Sequence, residues 1–297
     1  MCMLGAWQLL LSRYSGQQDI CVGIPVAGRQ HQELEKLIGF FVNAIVIRSD
    51  VSGNPSLRQF LATLRETVIE GFAHQDLPAE LLLEKLGVRR NTSHAPVAQI
   101  GFAFQNLPDW DQGLDFSGVE AEIIELSRIS SRYDITLFVF EADSTMQLRA
   151  EYATDLFDAE TIETMLNQFC RALQWMVDND EKVPVRCLEL ASIDELQQSM
   201  GLDDNVYERI MPLTAMQRDL YLSSELDPST LQNSLGYAVE LNTDLDVERW
   251  VEQLKRFSAG QGVLRTEFRR CSLPYTDPVY QCVLSPEAFE LPLEIDD

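Results

Sequence analysis

Histidine is scarce in this sequence, and its scarcity removes several kinds of chemistry. The 297 residues contain His31, His74 and His94 and no others, and no two of them are neighbours. Six cysteines, Cys2, Cys21, Cys170, Cys187, Cys271 and Cys282, are scattered without a CxxC pair, and none has a histidine at zinc-ligand spacing. Metal binding is therefore not expected, and dispersed cysteines in a chain this long suit a reduced cytosol better than a disulfide scaffold. Basic residues are also few, 23 against 47 acidic ones, for a formal net charge of -24. Such a balance works against phosphate-binding surfaces, so neither nucleic acid nor an anionic membrane is an expected partner. The acidity reads as solubility, because the charges are dispersed.

Long apolar runs are missing too. None approaches the ~18 residues a bilayer requires. The apolar start, Met1 to Leu11, has no Lys or Arg ahead of it and is interrupted by Trp7 and Gln8, unlike a secretory leader. The expected location is cytoplasmic. No glycine-rich phosphate loop, GxSxG elbow or Ser/His/Asp constellation is present, so adenylation chemistry has no support.

What is present is a mixture of strand and helix patterns. Met1 to Tyr14 predicts a buried helix, Asp19 to Val26 a short strand, and the apolar run Ile38 to Ile47 a central strand. Ser56, with Gln59 three residues on, predicts a capping box before an amphipathic helix carrying Leu57, Phe60, Leu61, Leu64 and Val68. Pro78 opens a short helix through Leu86. Strands are expected over Val97 to Phe104, Asp134 to Glu141 and Met146 to Tyr152. Asp158 then caps a helix whose stripe is Ile162, Met165, Leu166, Phe169, Leu173 and Met176. Charged and weakly periodic residues from Asp178 to Asn205 read as an inter-domain connection. Beyond it lie expected helices over Leu213 to Leu222 and around Val247, Trp250, Val251 and Leu254. Strands are expected over Leu235 to Leu241 and Val263 to Phe268. The class is α/β or α+β in layers.

Several motifs resemble those of the condensation domains of non-ribosomal peptide synthetases. Ile38-Gly39-Phe40-Phe41-Val42-Asn43, followed by Arg48, is similar to GxFVNT…R, and His74-Gln75-Asp76-Leu77-Pro78-Ala79-Glu80 is similar to HQDxPFE. Arg13 to Gln17, Gly23 to Arg29, Arg132 to Thr136 and Tyr152 to Phe157 fall in the family's order. Ala44, Ala79 and Ser93-His94-Ala95-Pro96 depart from the pattern. A second set resembles the opening of another domain of the same family: Pro212 to Gln217 is similar to PLSxxQ, and Val263 to Phe268 to HxxLRTxF, with Gln261-Gly262 in place of the usual start.

The resemblance implies a chloramphenicol-acetyltransferase-like α/β fold, with the C-terminal lobe of one condensation domain over residues 1–190. A linker over 191–206 and a partial N-terminal lobe of a second domain over 207–297 complete the expected organisation. It further implies amide-bond formation between acyl groups carried as phosphopantetheine thioesters, with carrier-protein domains and other synthetase modules as partners. No cofactor of the chain's own is implied. The family's HHxxxDG motif is not found here, so this stretch is expected to be inactive alone; a non-catalytic carrier-binding or docking module is the alternative.

The candidate site residues keep two readings each. Asn43, a polar amide in an apolar run, either bonds backbone to hold a crossover loop or lines the substrate tunnel. His74 either substitutes as a proton-transfer group or organises the turn before Pro78, with Gln75 or Asp76 meeting that helix's free N–H groups. Arg29 and Arg48 form ionic contacts across a lobe interface or end strands at the surface. Asp134 bridges near the tunnel or simply starts a strand.

Overall fold

The computed structural model describes residues 1–87, 97–105, 131–142, 145–203, 205–226, 246–273 and 275–292. The expected strand at Leu235 to Leu241 and the Ser93 to Pro96 variant lie outside them. Two compact units divide the chain, Met1–Leu190 and Ala191–Asp297.

The first unit opens with helix α1 (Cys2–Ser15), which Gly16 ends in the left-handed conformation. Strand β1 (Asp19–Val26), the four-residue helix α2 (Gln32–Glu35) and strand β2 (Asn43–Asp50) follow. Helix α3 (Leu57–Ala73) starts at the expected capping box of Ser56 and Gln59, and α4 (Ala79–Lys85) comes after a turn. Strands β3 (Ile100–Gln105), β4 (Ile135–Ala142) and β5 (Thr145–Tyr152) then precede α5 (Ala159–Asp178), capped by Asp158 through Thr161 N–H.

The five strands form one sheet in the order β2-β1-β3-β4-β5. The inner pairs β1·β3 and β3·β4 are parallel, and the outer pairs are antiparallel. Alternation along the strands sends Val22, Ile47 and Leu137 into a dry layer with Leu57, Phe60 and Leu64 of α3 and Phe169 of α5, all at most 3 % exposed. Trp7 of α1 meets the Phe169 ring edge-on at a centroid distance of 6.1 Å. Gln8 is drawn into this layer with its carboxamide bonded: it donates to the Ile47 carbonyl (3.2 Å) and accepts from Ser49 Oγ (2.8 Å), tying α1 to β2.

One expectation fails here. Ile38 to Ile47 is not a central strand. The strand begins at Asn43 and forms the edge of the sheet, while Leu37, Ile38, Phe40 and Val42 lie exposed in the preceding loop. An apolar run without alternation carries no information about which of its residues face solvent.

The second unit contains α6 (Ile193–Met200), β6 (Tyr207–Pro212), α7 (Ala215–Leu226), α8 (Val247–Gly260), a 3₁₀ turn at Gly262–Arg265, β7 (Thr266–Arg270) and β8 (Val279–Leu284). Its strands form a second sheet ordered β6-β8-β7, antiparallel throughout. The expected strand from Val263 therefore starts only at Thr266. Residues 191–206, expected as a linker, hold a helix with a Ser192/Glu195 capping box, and the second compact unit starts at Ala191. The polar sequence of the helix hid the single residue, Leu196, that buries.

Candidate functional site

Three of the sequence-predicted residues meet at one corner of the first sheet, where β1 ends and β2 begins. Asn43 is the first residue of β2, and its carboxamide is fully engaged there. Its Nδ2 donates to the Gln75 and Leu77 carbonyls, both at 2.8 Å, and its Oδ1 accepts from Ala79 N–H at 3.3 Å. One side chain thus holds both sides of the turn that carries His74 to Pro78 and also supplies an acceptor to the first turn of α4. The expectation from sequence gave that last task to Gln75 or Asp76. The turn's own residues do not perform it: Pro78, in the cap position, offers no side-chain acceptor, and Asp76 faces Gln30 instead.

His74 is exposed and stands at the C-terminal cap of α3. Its backbone closes the turn, the N–H donating to Glu70 O and the carbonyl accepting from Leu77 N–H. The Gln30 Nε2 to Asp76 Oδ1 bond, 2.8 Å, links the turn to the chain leaving β1. Sequence reasoning did not find this pair, since 46 positions separate the two residues and no pattern joins them.

Arg29 secures the third side of the corner. Its guanidinium donates to the Leu34 carbonyl and, at 3.4 Å, to that of Gly39, and it lies 4.5 Å from the centre of the Phe41 ring. Loop 34–41 is thereby folded back over the end of β1. Gly28 makes that return possible. Its φ is +65°, and a Cβ there would stand 2.0 Å from the Phe41 carbonyl oxygen. Asn43 is hydrogen-bonded to the 74–78 turn, Gln30 ties that turn to the chain after β1, and Arg29 holds the neighbouring loop through carbonyls and the Phe41 ring.

Arg48 and Asp134 lie elsewhere. The register pairs Val26 with Asn43 at one end of β1 and Asp19 with Asp50 at the other, so Arg48, opposite Cys21, belongs to the far end. It grips Asp19 in a two-point pair, Nε–Oδ1 2.8 Å and Nη2–Oδ2 2.7 Å, on the exposed surface. The hydrogen bond from Arg48 holds the Asp19 carboxyl below the ordinary aspartate range. Asp134 precedes β4 at that same far end, its N–H donating to Gln99 O and its carbonyl accepting from Ala153 N–H. Beside it, the Tyr133 side chain lies against Gly23 and Gly101, so closely that a Cβ would sit 2.9 Å from its hydroxyl at Gly23 and 3.0 Å from its ring at Gly101.

In the second unit, the residues of the Pro212 to Gln217 motif form a helix start. Thr214 Oγ1 accepts from Gln217 N–H, and Gln217 Oε1 accepts from Thr214 N–H. Gln217 Nε2 continues to Gln281, which donates to the Pro212 carbonyl. Arg265, 4 % exposed, donates to the Ser258 and Leu284 carbonyls and faces Glu208 at 3.4 Å. A cavity of about 620 Å³ opens beside it, with Gln217, Phe268 and Gln281 in its wall.

Among the described residues there is no cluster of histidine, cysteine and carboxylate side chains able to hold a metal, and no helix is long and apolar enough to cross a membrane. Asn43 and Arg29 are committed to backbone partners, and Asp76 to Gln30. What this arrangement does well is fix loop geometry.

A family model described as Condensation domain matches residues 1–198, and the chain belongs to that family. One of the linear gramicidin synthase proteins of Brevibacillus parabrevis is 43% identical over 198 residues, which is 67% of this chain and 2% of that protein. Malpinin synthetase from Mortierella alpina is 38% identical over 195 residues, which is 66% of this chain and again 2% of the relative. The chain thus spans a small fraction of the curated relatives it matches. Among solved structures, a four-domain nonribosomal peptide synthetase bound to AMP and glycine superposes with a TM-score of 0.59 and 21% identity, covering 87% of this chain and 20% of that one. The X-domain from teicoplanin biosynthesis, in complex with OxyB, gives 0.58 and 23%, covering 64% and 42%. The α/β fold is that of condensation domains.

Proposed function

We propose that this chain is a stretch of a non-ribosomal peptide synthetase running from the C-terminal lobe of one condensation domain into the opening of a second. Intact domains of this kind join acyl and aminoacyl groups held as phosphopantetheine thioesters on carrier proteins, so carrier domains and neighbouring modules are the partners. The observation that carries the reading is the family match over residues 1–198 in a sequence whose three histidines stand apart.

On this reading the stretch itself performs no acyl transfer. Amide formation needs a group of near-neutral pKa within hydrogen-bond reach of the attacking amine. His74 is the histidine of the signature corner, but it is exposed and caps a helix, which supports a role in the turn. Asn43, Arg29 and the turn then act as positioning elements, and Arg48 and Asp134 as residues of the opposite sheet end. Mixing the chain with an acyl-loaded donor carrier and an aminoacyl-loaded acceptor carrier tests this. Mass spectrometry of the acceptor should show no amide above the protein-free control. Product above that control defeats the reading.

A further inference from the structure

The family match and the second compact unit overlap. The match runs to residue 198, whereas the unit begins at Ala191. Helix α6 occupies the overlap, and its packing is one-sided. Leu196, 3 % exposed, lies in a cluster with Tyr280 and Cys282 of β8, and Met200, Leu202, Tyr207 and Ile210 close around them. At the helix end, Ser199 Oγ lies 3.1 Å from Cys271 Sγ and its carbonyl accepts from Ser272 Oγ at 3.5 Å. At the first residue of the helix, one turn before Leu196, Ile193 is 63% exposed.

The sheet makes clear why this cover matters. Register places Ile210 opposite Cys282 and Arg269 opposite Tyr280, so these residues share one face of β6-β8-β7. Gln281 and Phe268, also paired, share the other, where Gln217 and Tyr221 of α7 reach them. An antiparallel sheet can leave a polar face to water, but a face that carries buried residues such as Tyr280 and Cys282 needs a cover. The α7 side is served from within residues 205–292, and the Cys282 side is served by α6.

Anchoring on the two sides of the join is equally abrupt. Leu190 is buried in the first unit and its carbonyl accepts from Arg171 at 2.9 Å. Ala191 already packs in the second unit's cluster, and Ser192 begins the α6 capping box. No free residue separates the last anchor of one from the first anchor of the other.

We propose that the Cys282 face of the second sheet is an acceptor surface for one amphipathic helix, that its occupant is α6, and that the boundary between the chain's two working parts falls at Leu190–Ala191. The segment 191–202, though it starts inside the family match, is the first obligatory element of the downstream part. A cut or module exchange placed within 191–206 strips the downstream sheet of its cover.

The test uses the full chain and its own thiols. Burial pushes the Cys282 thiol up to about 11, from an ordinary 9.0. Exposure of that thiol raises its thiolate fraction by about a hundredfold at neutral pH, before any gain in access. Peptide-resolved iodoacetamide labelling of Leu196→Asp should therefore show Cys282 alkylated at least about ten times faster than in the parent chain, the lower basicity of the exposed thiolate offsetting part of the gain, with Cys21 of the first unit unchanged. Ile193→Asp, a similar apolar-to-acid change at an exposed position of the same helix, should leave Cys282 at the parental rate. Leu196→Ala should move it in the same direction by less. The inference is overturned if Cys282 stays protected in Leu196→Asp, if Ile193→Asp exposes it equally, or if Cys21 accelerates alongside.

Discussion

Replacing Trp7 with alanine is expected to cost about 3–5 kcal/mol and to lower the melting point of the first unit by on the order of 10 °C. Trp7 is 1 % exposed and lies on the helix that touches α3, α5 and β1 together. Its ring packs edge-on against Phe169, itself fully buried, so truncation opens a large void between α1 and α5 that neither helix can close alone. Gln8 adds to the consequence. Its carboxamide, fully buried, bridges Ile47 and Ser49 of β2, and a shifted α1 would leave those groups without partners. Thermal unfolding followed by circular dichroism, with Phe169→Leu as the volume-reducing control on the facing helix, measures the loss. A Trp7→Ala chain that melts within about 2 °C of the parent, a shift of roughly 1 kcal/mol or less, would show that α1 is not part of the core.

Replacing Asn43 with aspartate has the second largest expected effect, and it reports on the site. The change keeps the acceptor for Ala79 N–H and removes both donors. The Gln75 and Leu77 carbonyls would then face a carboxylate, like pole to like pole. Each carbonyl left without a donor costs about 1–3 kcal/mol when buried, and the lower end applies to this half-buried corner, so a total near 2 kcal/mol is expected. The loss should be local. Residues 74–85 should become susceptible to limited proteolysis at the Leu77 turn, while β4 and α5 keep their protection from hydrogen exchange. Aspartate that preserves the turn would mean the two donor bonds do not hold it.

The balance between legible and hidden features in this chain follows from range. Helices α1, α3 and α5 are readable because periodicity and caps are local: Ser56 with Gln59, and Asp158 with Thr161, act across three residues. Strands β1, β4 and β5 are readable within a residue or so for the same reason. The run Ile38 to Val42 misleads because exposed and buried apolar residues look alike when alternation is absent. Helix α6 escapes for the opposite reason. It buries a single leucine among polar residues, although the Ser192/Glu195 capping box stands there to be noticed. Strands β6 and β8 are also hidden, being six residues each and recognisable mainly through their pairing with one another.

The site divides in the same way. A polar amide at the head of an apolar strand signals that partners must exist, and that much is local reasoning. Which partners is not local: Gln75, Leu77 and Ala79 lie 32 to 36 positions from Asn43. Motif resemblance gathers Arg29, Arg48, Asn43, His74 and Asp134 into one group, and the sheet then separates them into two ends. Register alone produces that separation, because β1 carries Asp19 at one end and Val26 at the other.

Asn43, Arg29 and the turn at 74–78 build a fixed corner, the arrangement on which the proposed positioning role rests. Hydrogen exchange of the Asn43 carboxamide tests this most directly, followed by nuclear magnetic resonance in the unmodified chain. Both Nδ2 protons are expected to exchange slowly, in step with Ala79 N–H, because one opening event releases all three bonds. Exchange of those protons at the rate of a free primary amide, with Ala79 N–H still protected, would contradict it.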